Sequence, residues 1–599
     1  MNIVRHRREL SVPLALLLGI SLFVILSLQY AWSDLSFLIG GNTRVFDDAF
    51  YYFQVAKNAA LGWGLTFDRI NPTNGFQPLW MMLIIPVYTI FKFSFETPIH
   101  VILTLQVLVG VGALLLQFKT LSQGVGSISA IAIILVFLND YFIRNVVSGM
   151  ETALVVFSLS WIVYFWTTRS NHRDSIAFNS IVLGIISGTL ILSRLDAVLL
   201  VLVIFLLSNL SSKHSKSKSI SWPISLITLA LILFPYFIWN VIYFGHIAPI
   251  SGFVKSSFPQ FLLIDRLMTG EWQSLLWPNW ITIVTIAFVC EAAILLQPSF
   301  RAIRFLMLLV ALFLFRVNAI FIVLFLSGMF DGFYSDHMIN NGHITFNQIV
   351  RYLAIFGICL MIFELSFLRW GIMYWHYSWI ELVLAPFLAI RIGNFIGRSF
   401  KIELSKIISY VKGRTFLRLD FITKPRIQFI AIIVLLLLSG RAFWKTTSSY
   451  HNQLGSNTES SVLTWQHVSY TAAVWASRNL PPDATLAMSD AGVFGYFSDR
   501  KVINLDGVIN GFEYQYALQQ GHGVEWLGQK GVQYLVFHAV DEDHYAVYTY
   551  NLPSRKFRNI GGTLKLLPYQ EVYRSQQYTD MGKTVRLIIW RLDFPAQAG

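Results

Sequence analysis

The chain has 599 residues, is 55% hydrophobic and only 13% charged, and carries a formal net charge of +13. Soluble globular chains hold about 25% charged residues, so an ordinary soluble enzyme is excluded. The deficit comes from repeated apolar runs near the length of about 20 residues that crosses a bilayer. The basic excess does not mark a nucleic-acid binder. It lies in short segments between the apolar runs, at 5–9, 211–219 and 391–426, and basic excess in short loops marks the cytoplasmic side.

The first apolar run, Leu10 to Ala31, follows a basic segment but lacks a small-x-small cleavage site. It is also long for a secretory h-region. It is expected to be a retained first helix with its N-terminus in the cytoplasm, which puts the next loop, 32–98, on the outer side. That loop contains "VFDDAFYYFQVAKNAALGWGLTFD", Val45 to Asp68. Two adjacent carboxylates beside hydrocarbon, Asp47 and Asp48, are costly unless capped, solvated or used. If a helix starts there, Asp48 points about 100° away from Asp47. One can then face a reaction centre while the other caps, orients or holds a cation.

Further spans are expected at 99–118, 124–138, 151–168, 176–193, 196–210, 220–241 and 276–297. The piece 77–93, "QPLWMMLIIPVYTIFKF", is not counted, because a crossing there would place the basic 211–219 segment outside. An interfacial segment with Trp80 at headgroup level is expected instead. Between the basic loops at 301–304 and 391–426 an even number of crossings is required, yet three apolar stretches occur, at 303–327, 350–368 and 372–390. The total is therefore about 11 or 13 helices.

A last span at 427–441 exports the remainder. From about residue 442 short β-like runs, Thr485–Met488, Val502–Leu505, 532–540 and 585–592, alternate with Pro, Gly and Asp, after a helix-like stretch at 463–479. The expected fold is thus an all-α polytopic membrane bundle, 1–441, followed by an extracytoplasmic α/β domain, 442–599.

Several polar residues are not explained by the membrane. "NDYFIRNVVSGMETALVVF" (139–157) places Arg144 and Glu151 at the outer face, as headgroup and helix-dipole partners or as site groups. "SRLDA" (193–197) offers Arg194 and Asp196, most simply an ion pair in a tight turn. "PYFIWNVIYFGHIAPISGFVKSS" (235–257) brings His246 and Lys255 to where an amphipathic anion is met. The loop 328–349 adds Asp331, Asp336, His337 and His343 at spacings that match no metal motif. Asp490 and Asp506 look ligand-like at strand ends, with turn formation as the simpler reading. Cys290 and Cys359 lie inside apolar runs and imply neither a disulfide nor a metal site.

Taken in order, "DDAFYYFQVAKNAALGWGLTF", "NPTNGFQPLW", "SGMETALVVF", "YFGHIAPISGFVKS" and "WASRNLPPDATLAMSDAGVFGYFSDRKVINLDG" resemble the GT-C superfamily of integral membrane glycosyltransferases. The bacterial branch related to protein O-mannosyltransferases, aminoarabinose transferases and mycobacterial arabinofuranosyltransferases is the nearest in look. The resemblance implies a multi-span helical bundle and a polyprenyl-phosphate sugar as donor substrate. It also implies an inverting transfer to an extracytoplasmic hydroxyl of an envelope glycan, lipid or protein. By position it gives Asp47 the role of base. Arg144 and Lys255 are matched to groups near the lipid phosphate, with Glu151, Arg194 and His246 as further substrate contacts. It leaves open whether a divalent cation sits on Asp48. The partners it implies are membrane lipid, donor and acceptor, with no nucleic acid, in the cell membrane. A transporter or lipid flippase is the alternative, although the paired halves common in transporters are not visible, and a non-catalytic membrane scaffold is a third reading.

Overall fold

The computed structural model describes residues 2–40, 45–125, 140–168, 175–212, 220–269, 463–540, 548–552, 561–580 and 582–593, with scattered positions at 130, 134 and between 356 and 383. The expected crossings at 124–138, 276–297 and 427–441, the three stretches between 303 and 390, the border at 441/442 and the 328–349 loop lie wholly or largely outside the described residues.

The chain begins with α1 (Asn2–Ala31) and the short α2 (Leu35–Ile39), followed by α3 (Asp47–Ala60) and α4 (Pro78–Ile90). Then come α5 (Thr97–Val125), α6 (Asp140–Val146), α7 (Thr152–Thr168), α8 (Ile176–Ser193), α9 (Val198–Ser212) and α10 (Trp222–Phe244). Among the described residues, three helices are long and apolar enough to cross a membrane, at Thr97–Ser122, Ile176–Ser193 and Trp222–Phe244. The 13 residues of α4, at about 1.5 Å each, fall short of the hydrocarbon thickness. Trp80, expected at the headgroups, is instead fully buried, and its Nε1 donates to the Gly149 carbonyl at 3.1 Å. An indole N–H can lie in the interior when it has an acceptor.

Small residues set the helix contacts. Ser180, Gly184 and Gly188 recur at four-residue spacing on α8 and let α10 approach closely. A Cβ at Gly184 would lie 2.6 Å from Thr228, and one at Gly188 would lie 2.7 Å from Ile232. Ser225 then donates to the Ser180 carbonyl at 3.0 Å. This is packing suited to lipid, where burial of apolar surface gives no drive and close backbone approach must supply the attraction.

Two short helices, α11 (Ile250–Lys255) and α12 (Leu263–Thr269), precede the C-terminal region. There α13 (Trp465–Asn479) leads to β1 (Thr485–Met488), α14 (Gly492–Ser498), β2 (Lys501–Asn504), α15 (Phe512–Gln519), α16 (Gly523–Gln529) and β3 (Tyr534–Val540). The hairpin β4 (Tyr548–Asn551) and β5 (Thr563–Leu566) and the strands β6 (Glu571–Arg574), β7 (Tyr578–Asp580) and β8 (Lys583–Arg591) follow. The main sheet has the order β2-β1-β3-β8-β6, with β7 also on β8. β1 is parallel to both β2 and β3, and β8 is antiparallel to β3. Every residue of β1 is buried, as a strand covered on both faces must be. The expected strands and the helix at 463–479 are therefore present within two residues of their anticipated ends.

Candidate active site

α3 starts after Phe46, whose extended backbone makes the N-cap, and carries Asp47 and Asp48 in its first turn. Carboxylates there complement the positive helix end. What sets this helix apart is how its side chains are spent. Asp47 is buried, 7% exposed. Its Oδ2 accepts from the Gly492 N–H at 3.0 Å and its Oδ1 from the Val493 N–H at 2.7 Å. Asp47 thus satisfies N-terminal amides of α14, in the C-terminal region, that have no partner within their own helix. Tyr51, one turn on, accepts from the Ala491 N–H at 3.1 Å and from Asn504 Nδ2 at 3.2 Å. Burial pushes the Asp47 carboxyl well above the usual range. The Val493 amide pulls the other way, and the nearby charges of Asp48 and Asp490 add to the rise.

The other end of α14 is met by cations. Asp499, in the left-handed region at φ 50, takes Arg69 Nη2 at 2.5 Å and Lys57 Nζ at 3.5 Å on the same Oδ1. Lys57 also lies over the Phe95 ring, 3.7 Å from its centroid. Burial pulls its ammonium down to about 8, against the opposing pull of Asp499. Phe50 and Phe53 pack on Tyr496 between the two ends.

Asp47, expected as the base, has both oxygens committed to backbone amides. Asp48 is half-buried and takes no hydrogen bond from a described residue. Of the pair, the first member is the one that caps. Asp506 Oδ2 accepts the Asp490 N–H at 2.6 Å from 16 positions away, with Asp490 at φ 48, so the two tie the segment after β1 to the segment after β2.

The next tyrosine points elsewhere. Tyr52 donates to Glu151 Oε2 at 3.1 Å and accepts the Gln77 N–H at 3.2 Å. Glu151 Oε1 meets Arg194 Nη1 at 3.2 Å, and Arg194 Nε meets both Asp196 oxygens at 3.0 and 3.1 Å. The expected Arg194–Asp196 pair is therefore present, extended by Glu151. The acid of "SGMET" pairs with Arg194, 43 positions away, rather than with Arg144. His376 and Glu364 form a further pair at 3.0 Å, and Trp379 lies 6.0 Å from the Arg194 guanidinium. Gly149, at φ 80, shapes this loop, since a Cβ there would lie 2.8 Å from Ala49.

The remaining expected groups are scattered. His246 stacks on Phe512 at 4.1 Å and bonds the Tyr516 hydroxyl through Nε2 at 2.5 Å. It joins the segment after α10 to α15. Lys255 ends α11 half-buried, 5.7 Å from the Trp370 ring, with no carboxylate partner among the described residues. Arg144 lies in the last turn of α6. The turn-rich "NPTNGF" wedges between α10 and the 508–511 loop. Asn74 donates to Asn240 Oδ1 at 3.0 Å and accepts the Ile250 N–H at 2.8 Å. Among the described residues no three His, Cys, Asp or Glu side chains are grouped to hold a metal ion. Sequence reasoning passed over Tyr51, Tyr52, Lys57, Gln77 and Asn504, although a consecutive tyrosine pair in a helix was a signal that two faces were in use.

A family model described as a domain of unknown function, DUF8728, matches residues 459–585. No curated protein sequence matches the chain. Among solved structures, the chain is similar to the archaeal oligosaccharyltransferase AglB from Archaeoglobus fulgidus, in complex with an inhibitory peptide and a dolichol-phosphate. The identity is 13% and the TM-score 0.49, over 88% of this chain and 69% of that one. It is also similar to ArnT from Cupriavidus metallidurans bound to undecaprenyl phosphate, at 12% identity and a TM-score of 0.47, over 96% and 97% of the two chains. Both are GT-C superfamily membrane glycosyltransferases, the superfamily that the sequence motifs resemble.

Proposed function

We propose that this protein is a membrane glycosyltransferase that takes a sugar from a polyprenyl-phosphate carrier and passes it, with inversion, to a hydroxyl acceptor on the extracytoplasmic side. The observation that carries the reading is the divided acidic pair, with Asp47 spent on two amides and Asp48, beside it, without a partner among the described residues.

The chemistry requires one such carboxylate. As the acceptor oxygen bonds to the anomeric carbon, the bond from that carbon to the phosphate oxygen breaks and the hydroxyl proton passes to Asp48. Polyprenyl phosphate leaves without needing an acid, unlike the leaving group in a glycosidase, which must be protonated. The negative charge left on phosphate is best met by a positioned cation. Lys255, without a carboxylate partner among the described residues, is the group assigned to it, with Arg144 as a second. Tyr52, four residues along α3 from Asp48, links this helix to Glu151 and Arg194.

The test is turnover of labelled undecaprenyl-phosphate-linked pentoses and hexoses by purified protein in lipid nanodiscs. Donor consumption by the wild type, lost in Asp48→Asn, supports the reading. Movement of intact donor across the bilayer without consumption would replace it with a flippase.

A further inference from the structure

The first turn of α3 is held from outside its own module. Asp47 caps α14, Tyr51 takes the Ala491 N–H and the Asn504 amide, and Lys57 and Arg69 take Asp499 beyond the other end of α14. A negative group therefore meets the positive end of α14 and two positive groups meet a carboxylate beyond its negative end, which matches the helix dipole. Nothing larger than glycine fits at the join, because a Cβ at Gly492 would lie 2.2 Å from the Asp47 carbonyl oxygen and 2.7 Å from its Oδ2. A second close approach reinforces the first, since a Cβ at Gly75 would lie 2.1 Å from the Val508 carbonyl.

We infer that the C-terminal domain positions the reacting carboxylate: the N–H groups of Gly492 and Val493 hold Asp47 and thereby fix the helix turn from which Asp48 is presented. The inference rests on the reading of Asp48 as proton acceptor. Asp47 is then a positioning residue and the domain is part of the catalytic frame. A base must lie within hydrogen-bond reach of the proton it removes, and a misplacement of about 1 Å costs about 10²-fold. A turn tied at its first residue to a separate sheet domain moves only when that domain moves.

The experiment uses the full chain in lipid nanodiscs. Hydrogen exchange is followed by mass spectrometry over 490–498, with 534–540 as reference, in wild type, Asp47→Asn and Asp48→Asn. Asp47→Asn keeps one acceptor oxygen but turns an NH2 toward the second amide. It is expected to speed exchange at 492–493 by roughly tenfold or more and to leave 534–540 unchanged, whereas Asp48→Asn changes neither. In parallel, turnover of the labelled undecaprenyl-phosphate sugars is measured. Asp47→Asn and Gly492→Ala are each expected to lower kcat by about 10²-fold with KM for donor little changed, and the double variant is expected to be no slower than either alone.

Unchanged exchange in Asp47→Asn overturns the inference, as does faster exchange with normal kcat, or additive losses in the double variant. Full turnover in Asp48→Asn, or a wild type that consumes none of these donors, overturns the base assignment instead, and the exchange result alone then decides whether the domain holds Asp47. If Gly492→Ala does not fold, the two readouts of Asp47→Asn carry the same decision.

Discussion

α3 and α10 are built on opposite rules. α10 has 23 residues, nearly all apolar, and buries only Ser225, Tyr236 and Asn240. Leu226, Ile227, Leu231, Phe234 and Ile242 are exposed, as expected of a helix whose outer surface meets lipid. α3 has 14 residues and buries most of them, among them Asp47, Gln54, Lys57 and Asn58. In a soluble protein the apolar helix would be inside. Here apolar surface goes outward at no cost, because hydrocarbon is as good a solvent as the core, while each buried polar group must find a partner. On α3, burial therefore takes in polar side chains that have found partners as well as apolar ones.

The contrast can be broken most sharply at the acidic pair. Asp48→Asn should lower kcat by about 10²–10⁴-fold, the range of general-base catalysis, in the donor-turnover assay. Normal turnover would show that the open member of the pair is not used. A large stability effect is expected at Arg194→Met, which leaves Glu151 buried without its cation partner among the described residues. Breaking a buried pair in this way costs about 3–5 kcal/mol, read as a lowered melting midpoint in nanodiscs. Gly188→Leu should cost about 1–3 kcal/mol by forcing α8 from Ile232, and a neutral result would mean that the α8–α10 contact is not tight.

A smaller effect follows from pH. Burial holds the His538 imidazole down at about 4, against about 6.5 when unfolded. Between those values the unfolded chain binds the proton and the folded one does not, so stability falls as pH drops from about 6.5 toward 4. His538→Gln should flatten that slope in pH-dependent melting. At the small end, Leu231→Met on the outward face of α10 should change stability by about 0.5 kcal/mol or less. A large loss there would show that protein, not lipid, covers that face.

Much of the architecture was legible because it depends on local composition. Apolar runs at 99–118, 176–193 and 220–241 became long helices, and Val, Ile and Leu runs between Pro, Gly and Asp became β1, β2, β3 and β8. The site was legible only as a set of residues. Trp80 seemed an interface anchor, since an indole beside an apolar run normally is one, until the Gly149 carbonyl supplied its acceptor. His246 seemed open because Phe512 and Tyr516, some 270 positions on, could not be read as its neighbours.

Helix length, strand pattern and the turn chemistry of "NPTNGF" were determined by the sequence itself, since each follows from residues within a few positions of one another. The tertiary structure decided which carboxylate of the acidic pair is spent and which arginine answers Glu151. It also decided that α14 sits against α3. Those outcomes depend on contacts between groups from 43 to 446 positions apart, and a hydrogen bond is settled by distance in space.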